Sequence, residues 1–189
     1  MNTSDGSLND IYYTIRDAGG GEVKPVTRFT FDTPGWDEAY YYPNLAQLSG
    51  NRALFVWYRE SDDEIYYAVL DSTGNAVKGA TNLSTSSGWG WGPDAVQLSN
   101  GNVVVAWNGS MRFAVLDGSY SRIAGPTALS NPAAVTGDAY VSVAADAAGH
   151  AILTWMDSDS SYRRNLYYAL VDGNGNVLTD PMIFRTSQA

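Results

Sequence analysis

The stretch Ile65-Tyr66-Tyr67-Ala68-Val69-Leu70-Asp71 decides the fold, because the chain repeats it almost unchanged. The copies read Met111-Arg112-Phe113-Ala114-Val115-Leu116-Asp117 and Leu166-Tyr167-Tyr168-Ala169-Leu170-Val171-Asp172, and a looser copy runs from Ile11 to Asp17. The final aspartate recurs roughly every 50 residues, which is a period typical of architectures built from one repeated supersecondary unit. The sequence is therefore that of a repeat protein.

A second periodic feature is a short apolar run that ends in tryptophan. The runs end at Trp57, Trp107 and Trp155, and each is rich in β-branched or aromatic residues. Each follows a turn that contains glycine, namely Ser49-Gly50-Asn51, Asn100-Gly101 and Ala148-Gly149-His150. This pattern predicts the second strand of a β-hairpin, and we expect the three tryptophans to be core anchors.

One repeat therefore contains four antiparallel strands, and no helical period is sustained. The strand centres are apolar on both faces, as expected for sheets stacked between other sheets. The sequence predicts an all-β, β-propeller-type repeat of four-stranded antiparallel blades, with about three and a half units in one domain over 1–189. The predicted half unit spans 9–30, and the complete units span about 43–84, 92–130 and 139–187.

The hairpin that ends in tryptophan, followed by Ile-Tyr-Tyr-Ala and Asp-x-x-Gly, resembles the blades of the sialidase-like (Asp-box) β-propellers and related bacterial repeat propellers. The full box, Ser/Thr-x-Asp-x-Gly-x-x-Trp, is degraded here. Asp71-Ser72-Thr73-Gly74 and Asp172-Gly173-Asn174-Gly175 keep an aspartate and a glycine, but no tryptophan follows. The resemblance implies that the box is a structural turn and that ligands bind on the face of the longer loops.

Composition excludes several classes of partner. The 189 residues are 44% hydrophobic and 13% aromatic, which predicts a folded chain. The net charge is −9, without a basic stripe, so we expect no nucleic-acid partner and no membrane insertion. The chain has no cysteine, which excludes disulfides and thiolate chemistry.

The loops fall into two alternating classes, and the longer class carries the candidate site. Short Gly/Asn/Ser turns alternate with longer loops that join one unit to the next or the second strand to the third. Aromatic rings beside glycines and carboxylates suit a sugar site, because rings stack on the apolar sugar face and carboxylates accept from hydroxyls. The alternative is that these rings fill gaps between blades. The predicted ligand-binding residues are Trp36, Tyr41, Tyr58, Asp62, Trp89, Trp91, Tyr162 and Arg163.

For catalysis the sequence offers paired carboxylates, which glycosidases use, but little else. The candidates are Asp37, Glu38, Glu60, Asp62, Asp63 and Asp138. The arginine cluster and the Arg-Ile-Pro motif implied by the sialidase resemblance are missing, and the closest match is Arg122-Ile123-Ala124. His150, the only histidine, lies in a short turn. We therefore predict a chain that is not an enzyme and has no catalytic residues.

No cofactor and no metal is expected. Two stretches, 157–161 and 172–176, alternate oxygen-bearing side chains as calcium loops do, so calcium remains an alternative there. Neither has the distal glutamate of the twelve-residue calcium loop.

The sequence as a whole predicts a non-catalytic, extracellular ligand-binding module that recognises glycan or protein through aromatic long loops. One alternative is a structural or self-assembling unit completed by other chains, as a homo-oligomer or part of a longer array. Another is a glycoside hydrolase-like enzyme. The polar, cysteine-free, acidic composition is common among bacterial surface proteins, so we expect an extracellular or cell-surface location, with a cytoplasmic one left open.

Overall fold

The computed structural model describes residues 9–29, 39–85, 90–129, 140–158 and 164–184. All regular structure in these ranges is β-strand, so no helix there could cross a membrane. The strands are β1 (Tyr12–Arg16), β2 (Glu22–Arg28), β3 (Tyr40–Leu48), β4 (Arg52–Arg59), β5 (Glu64–Asp71), β6 (Ala76–Asn82), β7 (Trp91–Gln97), β8 (Val103–Asn108), β9 (Arg112–Leu116), β10 (Arg122–Ala128), β11 (Val141–Ala145), β12 (Ala151–Ser158), β13 (Arg164–Val171) and β14 (Val177–Ile183).

The strands form three four-stranded sheets and one two-stranded sheet, each with strands in sequence order and antiparallel. We call β3–β6 unit A, β7–β10 unit B and β11–β14 unit C, and β1–β2 the half unit. The predicted all-β propeller-type fold is confirmed, with four-stranded blades and one half blade. The domain boundaries stay a prediction.

The half unit corresponds to the third and fourth strands of a complete unit. Tyr13 pairs with Thr27 in β1–β2 as Tyr67 pairs with Thr81 in β5–β6, and both pairs of strands shift register directly afterwards. A cavity of about 350 Å³ lies between β1 and the sheet of unit A, lined by apolar side chains that include Leu45 and Phe55. In the three complete units, this side of the third strand is occupied by the second strand and, beyond it, the first.

The core consists of three clusters, each between two neighbouring units. One joins the half unit to unit A, one joins unit A to unit B, and one joins unit B to unit C. Every residue of β8 is buried because unit B has a neighbour on both faces. Trp57, Trp107 and Trp155 are 3%, 0% and 1% exposed, so they are core residues as predicted.

The four aspartates of the repeat close the turn between the third and fourth strands. The Asp71 carboxylate accepts hydrogen bonds from the backbone N–H groups of Thr73 and Asn75, both at 2.9 Å. Asp17, Asp117 and Asp172 make the same pair of bonds two and four residues further on. The repeat motif is therefore a structural turn, and it lies at the end of the unit opposite the longer loops.

Candidate functional site

The first strands of units A and B share a bulge that turns aromatic side chains towards one end of the blades. The pairing of β3 with β4 shifts between Tyr41 and Asn44, and that of β7 with β8 shifts between Trp91 and Asp94. Within the bulge, Tyr42 has a φ of 54° and Gly92 has a φ of 58°. A tyrosine in this left-handed region is uncommon, and such backbone often occurs at functional sites.

Four aromatic rings meet at this end. The Tyr41 ring centroid lies 6.1 Å from that of Tyr42 and 6.2 Å from that of Tyr58, and Tyr42 lies 6.0 Å from Trp91. These spacings are within the range of favourable aromatic contacts. Tyr42 remains 52% exposed, so the cluster presents a ring to solvent.

Beside the cluster is an open pocket of about 250 Å³, which we call the mouth pocket. It is bounded by the first strands of three successive units, and Tyr140, 78% exposed, stands on the far side from Tyr42. The lining consists of Tyr42, Pro43, Asn44, Trp91, Gly92, Pro93, Tyr140 and Val141. Such a concave, mostly apolar pocket with few polar groups is the usual form of a small-molecule site.

Asp94 lies next to the pocket and connects the first strands of all three units. Its Oδ1 accepts from Asn44 Nδ2 at 2.9 Å and from the Ala95 N–H at 2.8 Å, and its Oδ2 accepts from the Val143 N–H at 2.8 Å. Asp94 therefore fixes the position of the pocket-lining amide of Asn44 and joins it to the neighbouring first strands.

A polar network continues from the aromatic cluster into the turn between β4 and β5. The Tyr58 hydroxyl donates to Asp63 at 2.5 Å, and Asp62 accepts from Tyr66 at 2.8 Å and forms an ion pair with Arg59. Burial, followed by the hydrogen bond to Asp63, raises the pKa of Tyr58. Burial and the bond to Asp62 raise the pKa of Tyr66 to about 12. Although burial opposes it, the bonds from Arg59 and Tyr66 lower the pKa of Asp62. The Asp62 carboxylate is thus held ionised by Arg59 and Tyr66.

Four of the eight predicted site residues lie in the described ranges. Tyr41, Tyr58 and Trp91 join the aromatic network, through Tyr42, beside the mouth pocket. Asp62 lies in the adjoining turn, where Arg59 and Tyr66 already engage it. The other four predicted residues, Trp36, Trp89, Tyr162 and Arg163, lie outside the described residues.

Sequence reasoning missed Tyr42, Asn44, Asp94 and Tyr140. A signal was available, because Pro43-Asn44 and Pro93-Asp94 are equivalent pairs in two first strands. These strands were interpreted only as hairpin halves, so their polar residues were not considered as candidates.

No group of three potential metal ligands occurs among the residues that the structure describes. Asp172, at the start of the second candidate calcium stretch, bonds instead to the backbone of Asn174 and Asn176 within its own turn. Most of the first stretch, 157–161, lies outside the described ranges.

The fold resembles that of solved glycoside hydrolases. An endo-arabinase from Bacteroides thetaiotaomicron VPI-5482 superposes with a TM-score of 0.53 at 12% identity, over 84% of this chain and 67% of that chain. A putative exo-beta-1,3-galactanase from Bifidobacterium bifidum s17 gives a TM-score of 0.50 at 13% identity, over 91% of this chain and 57% of that one. The chain thus spans about two thirds of the first structure and just over half of the second. No protein-family model and no curated protein matches the sequence.

These structures correct the prediction of a non-catalytic binding module that is not an enzyme. Two solved structures that share its fold are named as an endo-arabinase and a putative exo-beta-1,3-galactanase. The prediction relied on the absence of a sialidase-type arginine cluster and of a histidine mechanism. Glycoside hydrolysis needs neither, because two carboxylates suffice. At these identities the likeness establishes the fold, and the activity of this chain is a separate question.

Proposed function

We propose that this chain is part of a glycoside hydrolase-type propeller that binds a saccharide in the mouth pocket and cleaves a glycosidic bond there. The observation that carries the proposal is the pocket itself, where exposed rings from two units surround an amide that is hydrogen-bonded to the carboxyl group of Asp94. The enzyme names of the solved structures with this fold support the same reaction class.

The pocket has the chemistry that sugars require. The faces of Tyr42, Trp91 and Tyr140 offer apolar stacking surfaces, and the Asn44 amide offers an oxygen and nitrogen for hydroxyl groups. At about 250 Å³ and open on one side, the pocket would hold one unit of a longer chain rather than enclose it.

Hydrolysis needs one protonated and one ionised carboxyl group on opposite sides of the bond. Asp94 is our candidate for the second role, as a base or as an electrostatic partner of the positively charged transition state, because three donors fix its carboxylate directly behind the pocket. The acid would come from a carboxyl group in the loops that lead into the first strands, where the sequence places Asp37, Glu38 and Asp138.

The test is release of reducing ends from arabinan and from β-1,3-galactan, with retention of each polysaccharide in an affinity gel. We expect activity that Asp94→Asn lowers by at least about a hundredfold, in the range of a lost acid–base group. Trp91→Ala should weaken retention.

Asp62→Asn is the matched control, because that carboxylate is engaged by Arg59 and Tyr66, and it should keep activity. Thermal unfolding of each variant separates loss of chemistry from loss of fold. The proposal would be contradicted if no tested glycan is cleaved and none is retained.

The remaining expectations stand as proposals beside this one. We infer a relation to Asp-box propellers, supported by the shared aspartate turns, and a bacterial, extracellular or cell-surface setting, supported by composition. A glycan would be the main partner, with no nucleic acid and no membrane insertion. No cofactor is needed by the proposed chemistry, with calcium as the alternative.

A further inference from the structure

The faces by which the units pack on one another include one against which no described residue range forms a further unit. In units A and B, four side chains of the second and third strands face the following unit and are at most 2% exposed. These are Leu54, Val56, Tyr67 and Val69 in unit A, and Val104, Ala106, Phe113 and Val115 in unit B. The matching positions of unit C are Ile152, Thr154, Tyr168 and Leu170, which are only half-buried. We call these four residues the leading face of unit C. It is largely apolar, and the described residues leave it partly open.

The contact that such a face makes with the next unit is repeated within the chain. The Tyr13 hydroxyl of the half unit donates to the Gly74 carbonyl in the aspartate turn of unit A, at 3.1 Å. The Tyr67 hydroxyl of unit A donates to the Tyr120 carbonyl, at the same turn position in unit B, at 2.7 Å. Tyr168 is the equivalent tyrosine in unit C. Its hydroxyl lies 3.5 Å from the sulfur of Met182 in its own sheet, a weak acceptor.

The complementary element is the aspartate turn of the half unit, at the other end of the row of units. Gly20 donates to the Asp17 carbonyl at 3.0 Å, as Gly74 does to Asp71, so the turn is fully formed. A Cβ built on Gly74 would lie 2.4 Å from Lys24, because that turn packs on the preceding unit. A Cβ on Gly20 would meet nothing within 4 Å. The half unit therefore presents a preformed turn on which no unit of the described ranges packs.

Two apolar side chains of the same hairpin, away from the turn, are also exposed. Tyr12 is 58% exposed and Val26 is 69% exposed. Tyr12 is equivalent to Tyr167 of unit C, which is 2% exposed because it packs in the cluster shared with unit B. We call the turn 17–21 with Tyr12 and Val26 the trailing face of the half unit. It has the features by which the other units contact the unit before them.

We propose that the leading face of unit C binds the trailing face of the half unit of a second copy of this chain. The Tyr168 hydroxyl would donate to the Gly20 carbonyl of the second copy, as Tyr13 and Tyr67 do to Gly74 and Tyr120 within one chain. The turn would rest on Leu170 and Thr179, the counterparts of Ile15 and Lys24. The contact is heterologous, so each copy keeps one free face of each kind, and the assembly grows unless it closes into a ring.

The interface should be weaker than the contacts within the chain. The half unit contributes two strands where a complete unit contributes four, so less apolar area is buried. Each copy also carries a net charge of −9, and this repulsion opposes association. Association should therefore depend on concentration and should strengthen with salt, which screens the repulsion.

The test is the mass of the intact chain by light scattering and sedimentation, from low micromolar to near-millimolar concentration. We expect a monomer at the lowest concentration and a growing mass above it, more so in added salt. Leu170→Glu in the leading face and Tyr12→Glu in the trailing face should each weaken association by more than about tenfold, since each places a charge in an apolar contact. Ile123→Glu, a change of an apolar residue on β10 of unit B whose exposure is close to that of Tyr12, is the control. Tyr168→Phe, which removes one hydroxyl, is a second variant of the leading face that keeps its shape.

A mixing experiment distinguishes this contact from a symmetric one. A chain with Leu170→Glu keeps a working trailing face, and a chain with Tyr12→Glu keeps a working leading face. Mixed together, they should form dimers and nothing larger, although neither associates alone. A monomer at every concentration would overturn the proposal. So would assemblies that persist in both single variants, or a mixture that stays monomeric while the unmodified chain associates.

Discussion

At the scale of single residues, the tryptophan of each second strand holds its unit together. Trp107 is fully buried in the cluster between units A and B, and its indole nitrogen has no hydrogen-bond partner among the residues that the structure describes. Its contribution is therefore one of packing, since a buried polar group without a partner adds no stability. The unpartnered indole nitrogens of Trp57 and Trp155 are consistent with the same role.

We predict that Trp107→Ala lowers the free energy of unfolding by about 3–5 kcal/mol, the usual cost of a large cavity in a core. Trp107→Phe should cost clearly less, because it keeps an aromatic ring and removes the unpartnered N–H. Urea denaturation of both variants measures the difference. Equal losses would mean that the indole nitrogen has a partner in solution.

At the scale of elements, the aspartate turns make the stability of the fold depend on pH. The Thr73 hydroxyl and the Asn75 backbone amide lower the pKa of Asp71 to about 2. The Ser119 hydroxyl and the Ser121 backbone amide lower the pKa of Asp117 in the same way. Because these pKa values lie below the usual range for an unfolded aspartate, about 3.9, the turns favour folding when the carboxylates are ionised.

We predict that this stabilisation is complete above about pH 4 and is lost as the pH falls towards about 2, through the folded pKa of Asp71. Thr73→Val removes the hydroxyl donor and should move the loss of stability to higher pH. Asp71→Asn should make the free energy of unfolding fall less steeply as the pH decreases. Urea denaturation across this pH range gives the curves. A curve unchanged by either substitution would contradict the assignment.

Local features could be predicted from the sequence, while contacts between units could not. The strands, the aspartate turns and the buried tryptophans follow from patterns within a few residues, so the repeat predicted them. The bond from Asn44 to Asp94 depends on how two units are set beside each other, and the left-handed backbone at Tyr42 depends on a bulge. The repeat of Pro43-Asn44 as Pro93-Asp94 does not show that the two side chains bond across units. Of the residues that line the pocket, the sequence analysis therefore named only Trp91.

At the scale of the whole molecule, the units share their cores with their neighbours. The protection of backbone amides from hydrogen exchange should therefore depend on where a unit lies in the series from the half unit to unit C. Unit B is covered on both faces, and every residue of β8 is buried. The half unit has two strands and an open trailing face, and β11 of unit C is largely exposed. Stability should therefore be highest in the middle of the row.

We predict that backbone amides of β8 exchange most slowly with solvent, and that those of β1, β2 and β11 exchange fastest among the strands. Hydrogen exchange followed by mass spectrometry on peptides from each unit measures this order. At high concentration, the association proposed above should slow exchange in β1 and β13. Uniform exchange across all units would show that the chain unfolds only as a whole.

The matched backbone of Tyr42 and Gly92 has a consequence for how such a pocket can diversify. Both residues occupy the same position of the bulge, with φ values of 54° and 58°, and one carries a large ring while the other carries only hydrogen. A Cβ on Gly92 would meet nothing within 4 Å. The bulge holds either residue with nearly the same backbone, although a side chain at this positive φ adds backbone strain that glycine avoids. Aromatic rings can thus be gained or lost at the mouth one blade at a time, each gain at that cost. The ligand preference proposed for the mouth pocket can therefore change in evolution, or be redesigned, while the scaffold that holds the carboxylate stays the same.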